Sequence, residues 1–302
     1  MRQVYFLDDD KYVAVFIDPF LEDPLLERGL KNTADNNVQV FKIRPRTEKY
    51  HDSRFPYVLF IKMNLETRSF VDELQAISLG EAEKMLQYND SMVQNRGVAA
   101  FISSNDFSDG FSWLHVVLQK MANVIDLDGA LRGYRFWDPR IFQYAATSLP
   151  VHDLWSQANA CIGRQKKRSF TWHYFDSAAQ FRSKEIDLDI APEAEDSSLV
   201  HLTDSAQREL ELWTCMNRAL MYLSMNREMQ ILKSGSFGEI ASVLEANARP
   251  FMNLPEFDGD DKVALTCMRI KAQKPIESDE TMMQEISWRK STGFGLLSFL
   301  SD

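Results

Sequence analysis

Two carboxylates set two residues apart, Asp126 and Asp128, with Gly129 after them, are the residues of this chain with the sharpest potential for chemistry. Carboxylates can serve as nucleophiles or as general acids and bases. The same Asp-x-Asp-Gly pattern also closes turns, because short acidic side chains accept nearby backbone N–H bonds and glycine adopts a left-handed backbone. Asp8-Asp9-Asp10 lacks the spaced ligands and glycine of a calcium loop and reads as a solvated turn. The histidines, His51, His115, His152, His173 and His201, never fall two on one helical face, so no metal site is expected. His115 lies beside an apolar helical face, where a packed, hydrogen-bonded imidazole is the expectation. No phosphate-binding glycine loop and no nucleophile elbow is visible, so neither catalytic residues nor a cofactor is expected.

A second constellation runs from Leu131 to Phe142 and reads Leu-Arg-Gly-Tyr-Arg-Phe-Trp-Asp-Pro-Arg-Ile-Phe. The alternation predicts a strand to Trp137, with Tyr134 and Phe136 on one face and Arg135 and Trp137 on the other. Asp138 is placed to cap a helix that starts at Pro139 and runs to about Ser148. An arginine beside an aromatic offers a fork of donors and a stacking surface, both features of interface anchors. Arg135, Trp137 and Arg140 are therefore expected to support a partner-binding face, with Tyr134 and Asp138 beside them. The alternative is a buried pair between Arg135 and Asp138, whose rupture would cost stability.

These residues need a scaffold, and 302 residues suffice for two domains at roughly one per 100 to 200 residues. The net charge of -10 repels phosphate backbones and anionic lipid surfaces, so neither nucleic acid nor membrane is an expected partner. Cys161, Cys215 and Cys267 show no paired spacing and read as buried thiols; with no signal or membrane segment visible, the cytoplasm is the expected location. Apolar, β-branched runs predict strands at Val4 to Leu7, Tyr12 to Ile17, Val38 to Ile43, Tyr57 to Met63, Gly97 to Ile102 and Ser169 to Phe175. Helices are predicted near residues 24–30, 68–77, 79–88 and 152–162, and on the stripe Phe107, Phe111, Leu114, Leu118 and Met121. Periodicity fades over residues 181–198, which reads as linker. From Asp204 the pattern turns helical, with Asp204 and Gln207 at capping-box spacing and a second helix over 237–248. The expected architecture is an α/β (α+β) domain over 1–180, a mixed sheet flanked by helices; an acidic linker over 181–203; and a mainly α-helical domain over 204–302.

Two family resemblances add to this. Val124-Ile-Asp-Leu-Asp-Gly-Ala-Leu131 resembles the first motif of haloacid dehalogenase-like phosphatases, which would make Asp126 the nucleophile and Asp128 the general acid and base. Tyr134-Arg-Phe-Trp-Asp-Pro-Arg140 resembles the Phe-Arg-Phe-Tyr-Asp-Pro-Arg type of signature of the adaptor and chaperone family of bacterial type VI secretion. The flanking segments Val13-Ala-Val-Phe-Ile-Asp18 and Phe55-Pro-Tyr-Val-Leu59 are similar to that family's strands, so the likeness covers roughly residues 10–165. It implies a non-enzymatic cytoplasmic adaptor that binds a toxin effector and helps load it onto the VgrG spike. Arg135, Asp138, Pro139 and Arg140 match the signature directly, and the variable C-terminal portion would carry cargo specificity.

Overall fold

The computed structural model describes residues 12–19, 25, 37–46, 55–86, 97–138, 142, 149–160, 167–176, 179–188, 199–225, 237–292 and 296. The predicted strand over 4–7 and the loop 47–54 lie outside them, as do Cys161, Pro139, Arg140 and all but Leu25 of the helix expected over 24–30. The chain divides into two compact units, Met1–Met85 with Gln94–Ala206, and Leu86–Val93 with Gln207–Asp302.

The first unit is built on a six-stranded sheet. Its strands are β1 (Tyr12–Ile17), β2 (Val38–Lys42), β3 (Tyr57–Lys62), β4 (Val98–Ser103), β7 (Arg168–Phe175) and β8 (Phe181–Leu188), in the order β2-β3-β1-β4-β7-β8. Every neighbouring pair is antiparallel. The mixed pairing expected of the sheet occurs instead in a small second sheet, where β5 (Asn123–Ile125) runs antiparallel to β6 (Leu131–Gly133) and parallel to β9 (Val200–His201). The uninterrupted apolar runs Val-Ala-Val-Phe-Ile and Val-Ala-Ala-Phe-Ile occupy the middle of the large sheet, where both faces of β1 and β4 are buried.

On one face, Val13, Val15, Ile17, Leu59 and Ile61 pack against Val71, Leu74 and Ile77 of α1 (Leu65–Leu86). The two helices expected over 68–88 are one, because nothing in the chain stops it: Gly80 is tolerated inside a helix, and no other atom approaches the space its Cβ would fill. Asn64 starts α1 by accepting from the N–H groups of Glu66 and Thr67 at 2.9 Å, while Thr67 Oγ1 accepts from Asn64 N–H at 2.8 Å, a reciprocal cap. The other face carries Phe16, Phe60, Phe170 and Trp172, met by rings from Phe107, Phe136, Phe142 and Trp155. Trp155 belongs to α3 (Leu149–Ala160), which packs on α2 (Ser112–Met121). The helix expected from Phe107 to Met121 is broken: a 3-10 turn, Asn105–Asp109, capped by Ser104, ends at Gly110, whose φ of 91° is a left-handed conformation that suits glycine. Phe107, Leu114, Leu118 and Met121 are nonetheless all buried.

Residues 181–188 are no linker. They form the outer strand of the sheet, and the charges that obscured the pattern, Arg182, Lys184, Glu185 and Asp187, suit an edge exposed to water, while Ile186 and Leu188 are buried. Val200 and His201 likewise pair with β5.

The second unit is helical: α4 (Asp204–Met225), most of whose length lies in it, α5 (Phe237–Ala248), α6 (Gly259–Ala272) and α7 (Glu280–Ser291). At the start of α4 the Thr203 hydroxyl accepts from Ala206 N–H at 3.2 Å, so the cap sits one residue before the expected Asp204. A reciprocal cap opens α6: Asp258 accepts from the N–H groups of Asp260 and Asp261, and the Asp261 carboxylate accepts from Asp258 N–H. Asp261 also pairs with Lys290 at 2.5 Å, whose ammonium lies over the Phe257 ring, fastening α7 to the head of α6. Cys215 and Cys267 are free and buried, as expected, and burial pushes the Cys215 thiol up.

Candidate functional site

The chain leaves β6 at Gly133, and from there the strand expected to reach Trp137 does not continue. Phe136 and Trp137 touch each other edge-on at 5.1 Å, and both pack on Phe16, at 5.9 and 5.2 Å. Successive residues of a strand point to opposite faces, so two neighbours on one aromatic bed require a turn. Asp138 N–H donates to the Arg135 carbonyl at 3.2 Å and closes that turn. The Asp138 carbonyl then accepts from Phe142 N–H at 2.7 Å; apart from Phe142, the helix expected from Pro139 to about Ser148 lies outside the described residues. The carboxylate bonds expected of Asp138 to residues 140 and 141 lie outside them too, as does Arg140.

The turn is pinned from β1. Asp18, directly after the last residue of that strand, is 2% exposed, and its Oδ2 accepts from Arg135 Nη2 at 2.6 Å and from Trp137 Nε1 at 2.7 Å. The Arg135 side chain keeps 27% of its surface in contact with solvent. A buried carboxylate is tolerated only when paired and hydrogen-bonded, and both conditions are met here by residues of one turn. Arg135 thus forms an ion pair with Asp18, a partner the sequence reading did not suggest.

This geometry redistributes the expected partner-binding residues. Tyr134, Trp137 and Asp138 are buried, so they can shape the site but present almost no surface of their own. Of the described four, Arg135 alone keeps substantial exposed surface, and it is held from behind by Asp18. Among the described residues the buried Tyr134 hydroxyl has no hydrogen-bond partner, and desolvation pushes its ionisation far up. The sequence reading did not single out Asp18 as a site residue; it entered there only as the last residue of a strand-like segment. A carboxylate closing a strand of five buried apolar residues was the available signal.

Asp126 and Asp128 occupy the tip of the β5–β6 hairpin. Asp126 Oδ1 accepts from Ala130 N–H and Oδ2 from Arg132 Nε, both at 2.7 Å, and Gly129 N–H donates to the Asp126 carbonyl at 3.0 Å. Gly129 has a φ of 78°. These bonds, the Arg132 bond first, hold the Asp126 carboxyl below the usual range. Both oxygens are therefore engaged in closing a turn, as the turn reading of this motif expects.

A polar cluster that the sequence did not suggest, with Ser103 and His173 buried and Ser183 exposed, lies across β4, β7 and β8. His173 Nε2 meets Ser103 Oγ at 3.0 Å and Nδ1 meets Ser183 Oγ at 2.8 Å. Burial lowers the imidazole to about 4, so it is neutral at pH 7, one nitrogen donating and the other accepting. His115 bonds the Lys42 carbonyl at 3.2 Å and packs on Phe41, the hydrogen-bonded role expected of it. Among the described residues no group of histidine, cysteine and acidic side chains could hold a metal ion, and no helix is long and apolar enough to cross a membrane.

The fold and site together define a two-unit α/β protein whose central turn is anchored on a buried carboxylate. No protein-family model matches the chain, and no curated protein or solved structure matches it either.

Proposed function

We propose that this protein is a non-enzymatic adaptor that binds a type VI secretion effector toxin in the cytoplasm and promotes its loading onto the VgrG spike. The observation that carries the reading is the stretch Tyr134-Arg-Phe-Trp-Asp-Pro-Arg140, which resembles the signature of that adaptor family. Its physical setting is compatible with the role: a partly exposed guanidinium, held from behind by a buried carboxylate, is a donor fork whose orientation is fixed before a partner arrives. The second unit is the proposed seat of effector specificity.

The test is reconstitution. The full chain is co-expressed with toxin and VgrG proteins encoded beside it, and complexes are isolated by tagging the toxin. The adaptor reading predicts a stable complex containing this chain, and less toxin on VgrG when the chain is omitted. Equal loading with and without the chain would overturn it.

A further inference from the structure

We infer that the outer edge of β2 receives an extended, acidic segment of a protein partner, added to the sheet as a further strand. β2 is the end strand of the six, and its register pairs Val38 with Ile61 and Val40 with Leu59. Lys62 N–H donates to the Asn37 carbonyl at 2.9 Å and Ile43 N–H to the Pro56 carbonyl at 2.7 Å. In an antiparallel pair such bonded residues alternate with residues whose N–H and C=O turn the other way. The main-chain groups of residues 38, 40, 42, 44 and 46 therefore face away from β3.

The protein itself uses the far half of this edge as a docking rail. His115 bonds the Lys42 carbonyl, and Gln119 accepts from Arg44 N–H at 2.9 Å and donates to the Arg44 carbonyl at 2.8 Å. Asn123 accepts from Arg46 N–H at 2.6 Å and donates to the Arg44 carbonyl at 3.1 Å. Four residues of helix advance about 6 Å and two residues of extended chain about 6.6 Å, so side chains at 115, 119 and 123 keep step with the rail. The near half is open. Among the described residues nothing takes the outward groups of Val38 and Val40, and the Val40 side chain is 55% exposed.

Charge supplies the character of the occupant. The side chains of residues 38, 40, 42, 44 and 46 share one face of the extended chain, and Lys42, Arg44 and Arg46 are all exposed there. Among the described residues Arg44 and Arg46 form no ion pair, in a chain of net charge -10. The opposite edge of the same sheet is different: β8 carries Arg182, Lys184, Glu185 and Asp187, both signs along its length, which discourages strand addition. β2 instead offers open main-chain groups at Val38 and Val40 for strand pairing, and the side chains of Lys42, Arg44 and Arg46 just beyond them suit acidic residues of the same segment where it leaves the edge. The inference stands whether or not the partner belongs to secretion.

The probe is a labelled peptide of about eight residues alternating Glu and Val, long enough for one strand. Its binding to the full chain is followed by fluorescence anisotropy beside a Lys–Val counterpart and a Glu–Val peptide N-methylated at alternate amides. The Glu–Val peptide is expected to bind, with affinity lowered about tenfold or more by N-methylation, by Val40→Pro and by Arg44→Glu with Arg46→Glu. Val40→Pro removes only an outward N–H, so the β3 ladder is left intact; should that variant fail to fold, the N-methylated peptide on the unaltered chain decides the matter. Absence of binding, equal binding of the N-methylated or Lys–Val peptide, or unchanged binding to folded Val40→Pro would overturn the inference. So would a concentration-dependent dimer lost in Val40→Pro, since a second copy would then be the occupant.

Discussion

Arg135 Nη2 donates to Asp18 Oδ2 at 2.6 Å, joining two residues 117 apart in the chain. The bond ties the end of a central strand to the turn over Arg135–Asp138, and Trp137 Nε1 shares the same oxygen. Asp18→Ala leaves a quarter-exposed guanidinium and a fully buried indole N–H without their acceptor. Breaking a buried pair from one side costs about 3–5 kcal/mol. The denaturation midpoint in urea, followed by tryptophan fluorescence, should fall markedly for Asp18→Ala and less for Asp18→Asn, which retains an acceptor. An unchanged midpoint for Asp18→Ala would contradict the anchoring role.

Tyr134 makes the opposite prediction. Its hydroxyl is buried with no partner among the described residues, so the desolvation it suffers has no return. Removing an unsatisfied polar atom while keeping the ring is neutral or stabilising, by up to about 1 kcal/mol. Tyr134→Phe should unfold at the same or a higher urea concentration, and a lowered midpoint would show that the hydroxyl is bonded in solution.

The pH dependence of stability should carry the mark of His173. Its folded-state value is lowered by burial from 6.5 to about 4, so between those limits the unfolded chain binds a proton that the native protein does not. Stability is then fully present above about pH 6.5 and falls as pH drops toward 4, at about 1.4 kcal/mol per pH unit across that window. Denaturation measured at pH 5 and pH 7 should show this loss. His173→Gln should be less stable at pH 7 yet lack that part of the slope; an unchanged slope would place its origin elsewhere.

In the helical unit the Lys290–Asp261 pair should behave as a fastener for α7. Asp261 is 6% exposed, and Lys290→Ala strands its charge beside the cap of α6. Hydrogen exchange should speed up over residues 280–291 in that variant, while the amides of β1 and β4 keep their protection. Uniform acceleration across both regions would contradict a local role.

Much of the scaffold was legible because its periods are unambiguous. Tyr12–Ile17 and Phe237–Ala248 fall where the apolar runs place them. The misreadings share a cause, which is that tertiary pairing overrode local pattern. Residues 181–188 looked like linker because an edge strand carries charge on both faces, and only the partner β7 reveals it. The predicted strand through Trp137 failed because the bed around Phe16 takes two consecutive rings. Asp18 could not be matched to Arg135 from sequence, since no local spacing links residues so distant. The turn at Asp126 to Gly129 was legible because its bonds are all local.

Asp18 and Arg135 also allow contact to be separated from support. Asp18 is almost wholly buried, whereas Arg135 retains exposed guanidinium surface. At matched folded fractions, Arg135→Ala should reduce toxin capture more than Asp18→Asn does. Equal losses would make Arg135 a positioning residue only.

The central claim is tested most directly by secretion. In cells lacking this protein, export of its partner toxin by the type VI apparatus should be lost while other effectors leave the cell normally, and the full-length chain supplied in trans should restore it. Undiminished export of every effector in its absence would contradict the adaptor account.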